Sequence, residues 1–214
     1  MDILNNFIQI KNKVSSLSKN TRIVAVTKTF DINTIKPIID YGHKDFGENK
    51  VQEAKLKWSS LIFNDTTINL HFIGKLQTNK AKDAVRLFHF IHSLSSEELA
   101  KTLKKEEELI NKKLKYFIQI NLAGENQKNG IEVSAAKEFI KFCINELSLE
   151  VIGLMCVPPF NEKADPFFLQ ISKIAKDNNL SELSMGMSND YPAAIKYGST
   201  YVRIGSQIFG ERSK

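Results

Sequence analysis

The chain has 214 residues, of which 42% are hydrophobic, enough for one large domain or two small ones around a sizeable core. Its net charge of +6 comes mostly from lysines interleaved with acids, as between Lys101 and Lys115. With only four arginines and no basic run threaded by aromatics, the sequence argues against a nucleic-acid groove, and no nucleic-acid partner is expected.

The opening segment places Ile3, Phe7, Ile10, Val14 and Leu17 at spacings of four and three, which predicts an amphipathic helix rather than a signal peptide. A first strand follows at 23–28, alternating so that Val24, Val26 and Lys28 share one face and Ile23, Ala25 and Thr27 the other. Further strand-like runs fall at 45–48, 69–74, 89–94, 115–121, 151–157, 182–186 and 200–208, making eight in all. Helical patterns lie between them. Ser95 and Glu98 form a capping box before Leu99, Leu103, Ile110 and Leu114. Ser134 is positioned to cap a helix carrying Phe139, Ile140, Cys143, Ile144 and Leu147. Asp165 and Pro166 supply an N-cap and a first-turn proline ahead of Phe168, Ile171, Ile174 and Ala175.

Alternating strands and helices imply a parallel sheet, and eight units suggest closure into a (β/α)8 TIM-like barrel; an open doubly wound sheet is the alternative. The chain stops soon after the eighth strand, so no final outer helix follows it, and the extra N-terminal helix is the natural cover for that gap. No linker, repeat or low-complexity tract interrupts residues 1–214, which read as a single domain. Cys143 and Cys156, both in apolar surroundings and without a Cys-x-x-Cys pair, fit reduced core thiols in a cytoplasmic protein. No window is long and apolar enough to span a membrane.

In such a barrel the site lies at the carboxyl ends of the strands. Lys28 ends an inward apolar row, where desolvation favours the neutral amine that attacks an aldehyde; a strand-end lysine whose head merely reaches water is the bland alternative. Asn49, after strand two, suits either a pocket or, with Gln52, a helix cap. Ser188 follows a glycine turn after strand seven, and Gly205 with Ser206 ends strand eight, so two segments converge on an anion, although capping and plain packing would explain each singly. Arg203 interrupts an apolar strand and needs an acceptor: a carboxylate such as Asp45 or Glu48, or a ring nitrogen or anion on a ligand. An amine, a phosphate cup and an arginine together suit pyridoxal phosphate. A cofactor-free barrel acting on a sugar phosphate would use the cup but leave Lys28 unexplained.

Six segments, Val24-Ala-Val-Thr-Lys28, Phe46-Gly-Glu-Asn49-Lys-Val-Gln-Glu53, His71-Phe-Ile-Gly74-Lys-Leu-Gln77-Thr-Asn79-Lys80, Gly153-Leu-Met155, Leu183-Ser-Met-Gly-Met-Ser188-Asn-Asp190 and Val202-Arg-Ile-Gly-Ser206-Gln-Ile-Phe-Gly210, resemble the pyridoxal phosphate homeostasis protein family nearly end to end. The resemblance implies the fold-type III barrel shared with the N-terminal domain of alanine racemase, pyridoxal 5'-phosphate as cofactor, and control of the free cofactor in the cell without established turnover. It makes Lys28 the imine lysine, Arg203 the neighbour of the ring nitrogen, and Ser188, Gly205 and Ser206 the phosphate contacts, with Asn49 and Ser184 lining the pocket. Ser206 stands where many relatives carry threonine, which keeps the hydroxyl. His71 is expected as a hydrogen-bonded barrel-interior residue, and Lys128 as a solvated loop lysine or a second, transient amine. No catalytic residue and no metal ligand is assigned. A monomer is expected, with transient contact to enzymes that accept the cofactor. The rival reading is a racemase of the alanine racemase type. Racemisation needs a base on each face of a planar carbanion, and beyond Lys28 no spare tyrosine stands out.

Overall fold

A computed structural model describes residues 2–64, 67–124 and 129–210. Its strands are β1 (Arg22–Val26), β2 (Asp45–Glu48), β3 (Asn69–Phe72), β4 (Phe90–Leu94), β5 (Lys115–Asn121), β6 (Ile131–Glu132), β7 (Glu150–Met155), β8 (Glu182–Met187) and β9 (Tyr201–Ile204). All pair in parallel, and because β4 pairs with β5 as well as with β3, eight of them close into a barrel. The two-residue β6 lies outside that ring, attached to β5 alone. The last predicted strand is shorter than its sequence pattern, ending at Ile204 before a helical turn over Ser206–Phe209.

Strand alternation separates two layers. Ile23, Ala25, Phe46, Leu70 and Ile91 belong to the large cluster between barrel and helices, whereas Val24, Phe90, Phe117, Met155 and Tyr201 fill the barrel itself. The helices are α1 (Ile3–Leu17), α2 (Ile32–Asp40), α3 (Val51–Asn64), α4 (Ala81–Leu87), α5 (Glu97–Ile110), α6 (Ala136–Lys141), α7 (Asp165–Asp177), α8 (Tyr191–Lys196) and α9 (Ser206–Phe209). As expected, α1 covers the seam between the first and last strands: it packs against α2, α8 and α9, and Asn6 donates to the Ile208 carbonyl at 3.1 Å. It buries Phe7, Ile10 and Val14, but Leu17, at its last turn, is 49% exposed.

Two helix starts differ by a residue from the sequence pattern. Ser96, not Ser95, accepts from the Leu99 amide to start α5, and α7 begins on Asp165 itself, after Ala164. Ser134 caps nothing, because the chain enters α6 through a tight turn over Val133–Ala135. The helix then widens into a π turn over Phe142–Glu146, which leaves Ile144 at the surface; Ile110 is likewise partly exposed at the end of α5. Both cysteines are buried. No helix among the described residues is long and apolar enough to cross a membrane.

Candidate functional site

At the carboxyl ends of the strands a cavity of about 1010 Å³ opens, and Lys28, Ser188, Arg203, Gly205 and Ser206 all line it. Each is delivered by a local device. Thr27 is clamped from outside the barrel: its hydroxyl donates to Glu48 Oε1 at 2.7 Å, and its carbonyl accepts from Lys57 Nζ at 2.7 Å. The inward phase of β1 therefore continues through Val26 to Lys28. The chain then turns away through Thr29, a β-branched residue at φ +72°, a strained conformation tolerated only where its surroundings fix it.

Ser188 reaches the cavity because Gly186, at φ +89°, lets α8 lie against the end of β8; a Cβ there would sit 2.5 Å from the Ala194 methyl. Asp190 Oδ1 accepts from the Met187 amide at 2.6 Å and fixes the turn. Gln207 Nε2 donates to the Ser188 carbonyl at 2.6 Å, tying this loop to the Gly205 and Ser206 segment, where α9 begins with backbone N–H groups that have no partner within the helix. Sequence reasoning missed Gln207. Asp190 and Glu162 add acidic groups to the cavity wall.

Arg203 is buried, and neither carboxylate anticipated for it is its partner. Asp45 takes His71, and Glu48 points to the outer layer, where Thr27, Lys57 and Trp58 all donate to its Oε1. Period two explains this, since Glu48 lies opposite in phase to the inward Gly47. The guanidinium instead donates through Nη1 to the carbonyl and hydroxyl of Ser184, each at 2.7 Å, and through Nη2 to the Cys156 carbonyl at 3.0 Å. Burial lowers its pKa from the ordinary arginine value and raises that of the Cys156 thiol to about 12. Ser184 is thus a buried support beneath Arg203 and is not among the cavity-lining residues. His71 is in the barrel interior, as expected, bonded to Asp45 Oδ1 at 3.0 Å and to His92 Nε2 at 2.9 Å. His92, missed in the sequence, bonds Ser184 Oγ at 2.7 Å; its inward position two residues after Phe90 was the available signal. Lys128 lies outside the described residues.

Asn49 does not cap α3: its Oδ1 is buried with no hydrogen-bond partner, and Asn49, expected to line the pocket, is like Ser184 not among the cavity-lining residues. A lysine, a buried guanidinium whose hydrogen bonds go to Ser184 and the Cys156 carbonyl rather than to a carboxylate, and a pair of hydroxyls make a donor set fitted to an aldehyde-bearing, phosphorylated heteroaromatic.

Residues 2–213 match the family model for the alanine racemase N-terminal domain. The chain is 36% identical to the pyridoxal phosphate homeostasis protein of Aquifex aeolicus over 200 residues, covering 89% of this chain and 87% of the relative. It is 36% identical to that of Synechocystis over 212 residues, covering 93% and 95%. Among solved structures, PipY of Synechococcus elongatus with PLP bound superposes with a TM-score of 0.87 at 29% identity, covering 98% of this chain and all of the other. An alanine racemase from Bartonella henselae shares the fold at a TM-score of 0.74 and 13% identity, with 99% of this chain covering 60% of the racemase.

Proposed function

This chain belongs to the pyridoxal phosphate homeostasis protein family, and from that premise we propose that it holds pyridoxal 5'-phosphate on Lys28 as a carrier and regulator of the cofactor, without robust turnover. The observation that carries the reading is a lysine in the turn just past β1, lining a cavity whose walls also bear a buried arginine and two serines. When bound, pyridoxal phosphate supplies an aldehyde that captures amines and a ring that withdraws electrons. The Lys28 amine would hold it covalently, and the Ser188 and Ser206 hydroxyls with the backbone at Gly205 would hold the phosphate. Arg203 would face the ring nitrogen. A guanidinium keeps its own proton, so it donates a hydrogen bond without protonating that nitrogen.

The racemase reading needs an acid–base group on each face of the substrate. No tyrosine or histidine lines the cavity among the described residues. The mouth is instead rimmed by exposed apolar side chains, Val157, Met187 and Phe160, the last 94% exposed, which supports exchange of the cofactor and brief contact with enzymes that accept it. We place this activity in the cytoplasm and in a monomer.

The test is to mix the purified chain with pyridoxal phosphate, reduce it with borohydride and locate the added mass by peptide mapping. The expected result is a visible absorbance band and a label on Lys28, both lost in Lys28→Ala, with slow or no α-proton exchange of amino acids. Labelling of other lysines only would overturn the assignment. Rapid exchange that depends on Lys28 would favour the enzyme instead.

A further inference from the structure

A chain of hydrogen bonds crosses the barrel interior through five residues on five strands. Asp45, the first residue of β2, lies at the floor with its side chain 17% exposed; Arg203 lines the cavity at the other end. Between them run the contacts Asp45 Oδ1 to His71 Nε2 (3.0 Å), His71 Nδ1 to His92 Nε2 (2.9 Å), His92 Nδ1 to Ser184 Oγ (2.7 Å) and Ser184 Oγ to Arg203 Nη1 (2.7 Å). Aromatic plates fix both imidazoles, His71 stacking on Phe90 at 4.2 Å and His92 on Phe117 at 4.3 Å.

The two ends set the direction of every bond. An ionised carboxylate only accepts and a guanidinium only donates. Burial favours neutral forms of both histidines; burial also opposes ionisation of Asp45, but the hydrogen bond and electrostatic pull of His71, the Asn69 hydrogen bond and nearby His43 outweigh it and keep the carboxyl below the ordinary range. With neutral imidazoles a single arrangement remains. His71 Nε2–H donates to Asp45, so its Nδ1 accepts from His92 Nε2–H. The His92 Nδ1 then accepts from the Ser184 hydroxyl, which leaves the Ser184 lone pairs to receive Arg203. All donors point toward Asp45, so each bond polarises the next.

We infer that Asp45, His71, His92 and Ser184 are positioning residues for Arg203: the carboxylate at the barrel floor fixes the proton on each imidazole and thereby the orientation of the guanidinium at the ligand cavity. This deepens the function proposed above, because Arg203 is the residue assigned there to the cofactor ring. The relay itself exists without the cofactor and is read without it.

Histidine nitrogen NMR of the full cofactor-free chain is the first test, with both His71 and His92 expected as the Nε2–H tautomer. Asp45→Ala removes the terminal acceptor and is expected to destroy the single tautomer at His92, two strands away. Asp45→Asn keeps an accepting oxygen, which the Asn69 amide, donating to the same atom at 3.1 Å, selects over the Asn amide nitrogen. This variant is expected to restore the wild-type tautomers. Pyridoxal phosphate affinity should follow, about three- to tenfold weaker in Asp45→Ala and near wild type in Asp45→Asn. An Nδ1–H tautomer at His92 in the wild-type chain, or a His92 tautomer indifferent to Asp45→Ala, overturns the relay. Correct tautomers without Lys28 labelling would overturn the function and leave the relay standing, and the reverse pattern separates the two the other way.

Discussion

A Cβ on Gly74 would overlap the Asn49 carbonyl, so this glycine, just past β3, sets how closely the chain carrying Asn49 can approach. The clash is with backbone, which cannot swing aside. Gly74→Ala is therefore expected to push the Asn49 segment outward and destabilise the protein by about 1–3 kcal/mol, measured by urea unfolding. An unchanged midpoint would show that the end of β2 is free to move. The same scale explains why Asn49 reads two ways in sequence. A cap and a ligand acceptor need the same side chain, and the buried, unpartnered Oδ1 removes the cap.

The N-terminal helix takes the place that an outer helix after the last strand would occupy. It does so through a narrow stripe, in which Phe7 is fully buried and meets the rings of Tyr41, edge-on at 5.9 Å, and His43, at 4.7 Å. Phe7→Ala is expected to cost about 3–5 kcal/mol, as large buried truncations do. Leu17→Ala, on the same heptad-like stripe but half exposed, is expected to cost less than about 0.5 kcal/mol. Comparable losses in the two variants, read from denaturation midpoints, would mean that α1 is held along its whole length. The stripe in the sequence includes both residues because periodicity records which side chains share a face, while the depth of the opposing surface decides how far along that face burial extends.

For the whole molecule, burial of neutral histidines makes stability depend on pH. Burial lowers His43 and His89 to about 4, and His71 and His92 also lie below the ordinary value. An unfolded histidine titrates near 6.5, so between about 6.5 and 4 the unfolded chain binds more protons than the folded one. Stability from these groups is thus complete above pH of about 6.5 and is lost as pH falls toward 4. The melting temperature is expected to be at least ~5 °C lower at pH 4.5 than at pH 7.5. Equal melting temperatures at the two pH values would mean that these imidazoles are solvated.

Local physics was enough to specify the strands, their alternation and a parallel sheet, and to favour a closed barrel over an open sheet, because short apolar runs separated by helical stripes leave few topologies with right-handed crossovers. It was enough also to nominate Lys28, Ser188, Arg203, Gly205 and Ser206, since strand ends in such a barrel face one mouth, and these residues do share one cavity. The partners of Arg203 were decided only by the tertiary structure. Strand phase alone turns Glu48 outward, but phase does not say which inward residues meet across the barrel, and it was closure that placed Ser184 beneath the guanidinium and joined His71 to His92 across the interior. Hydrogen bonds between strands distant in sequence, such as the one linking His92 to Ser184, depend on angstrom-scale distances set by closure, and no spacing along the chain encodes them.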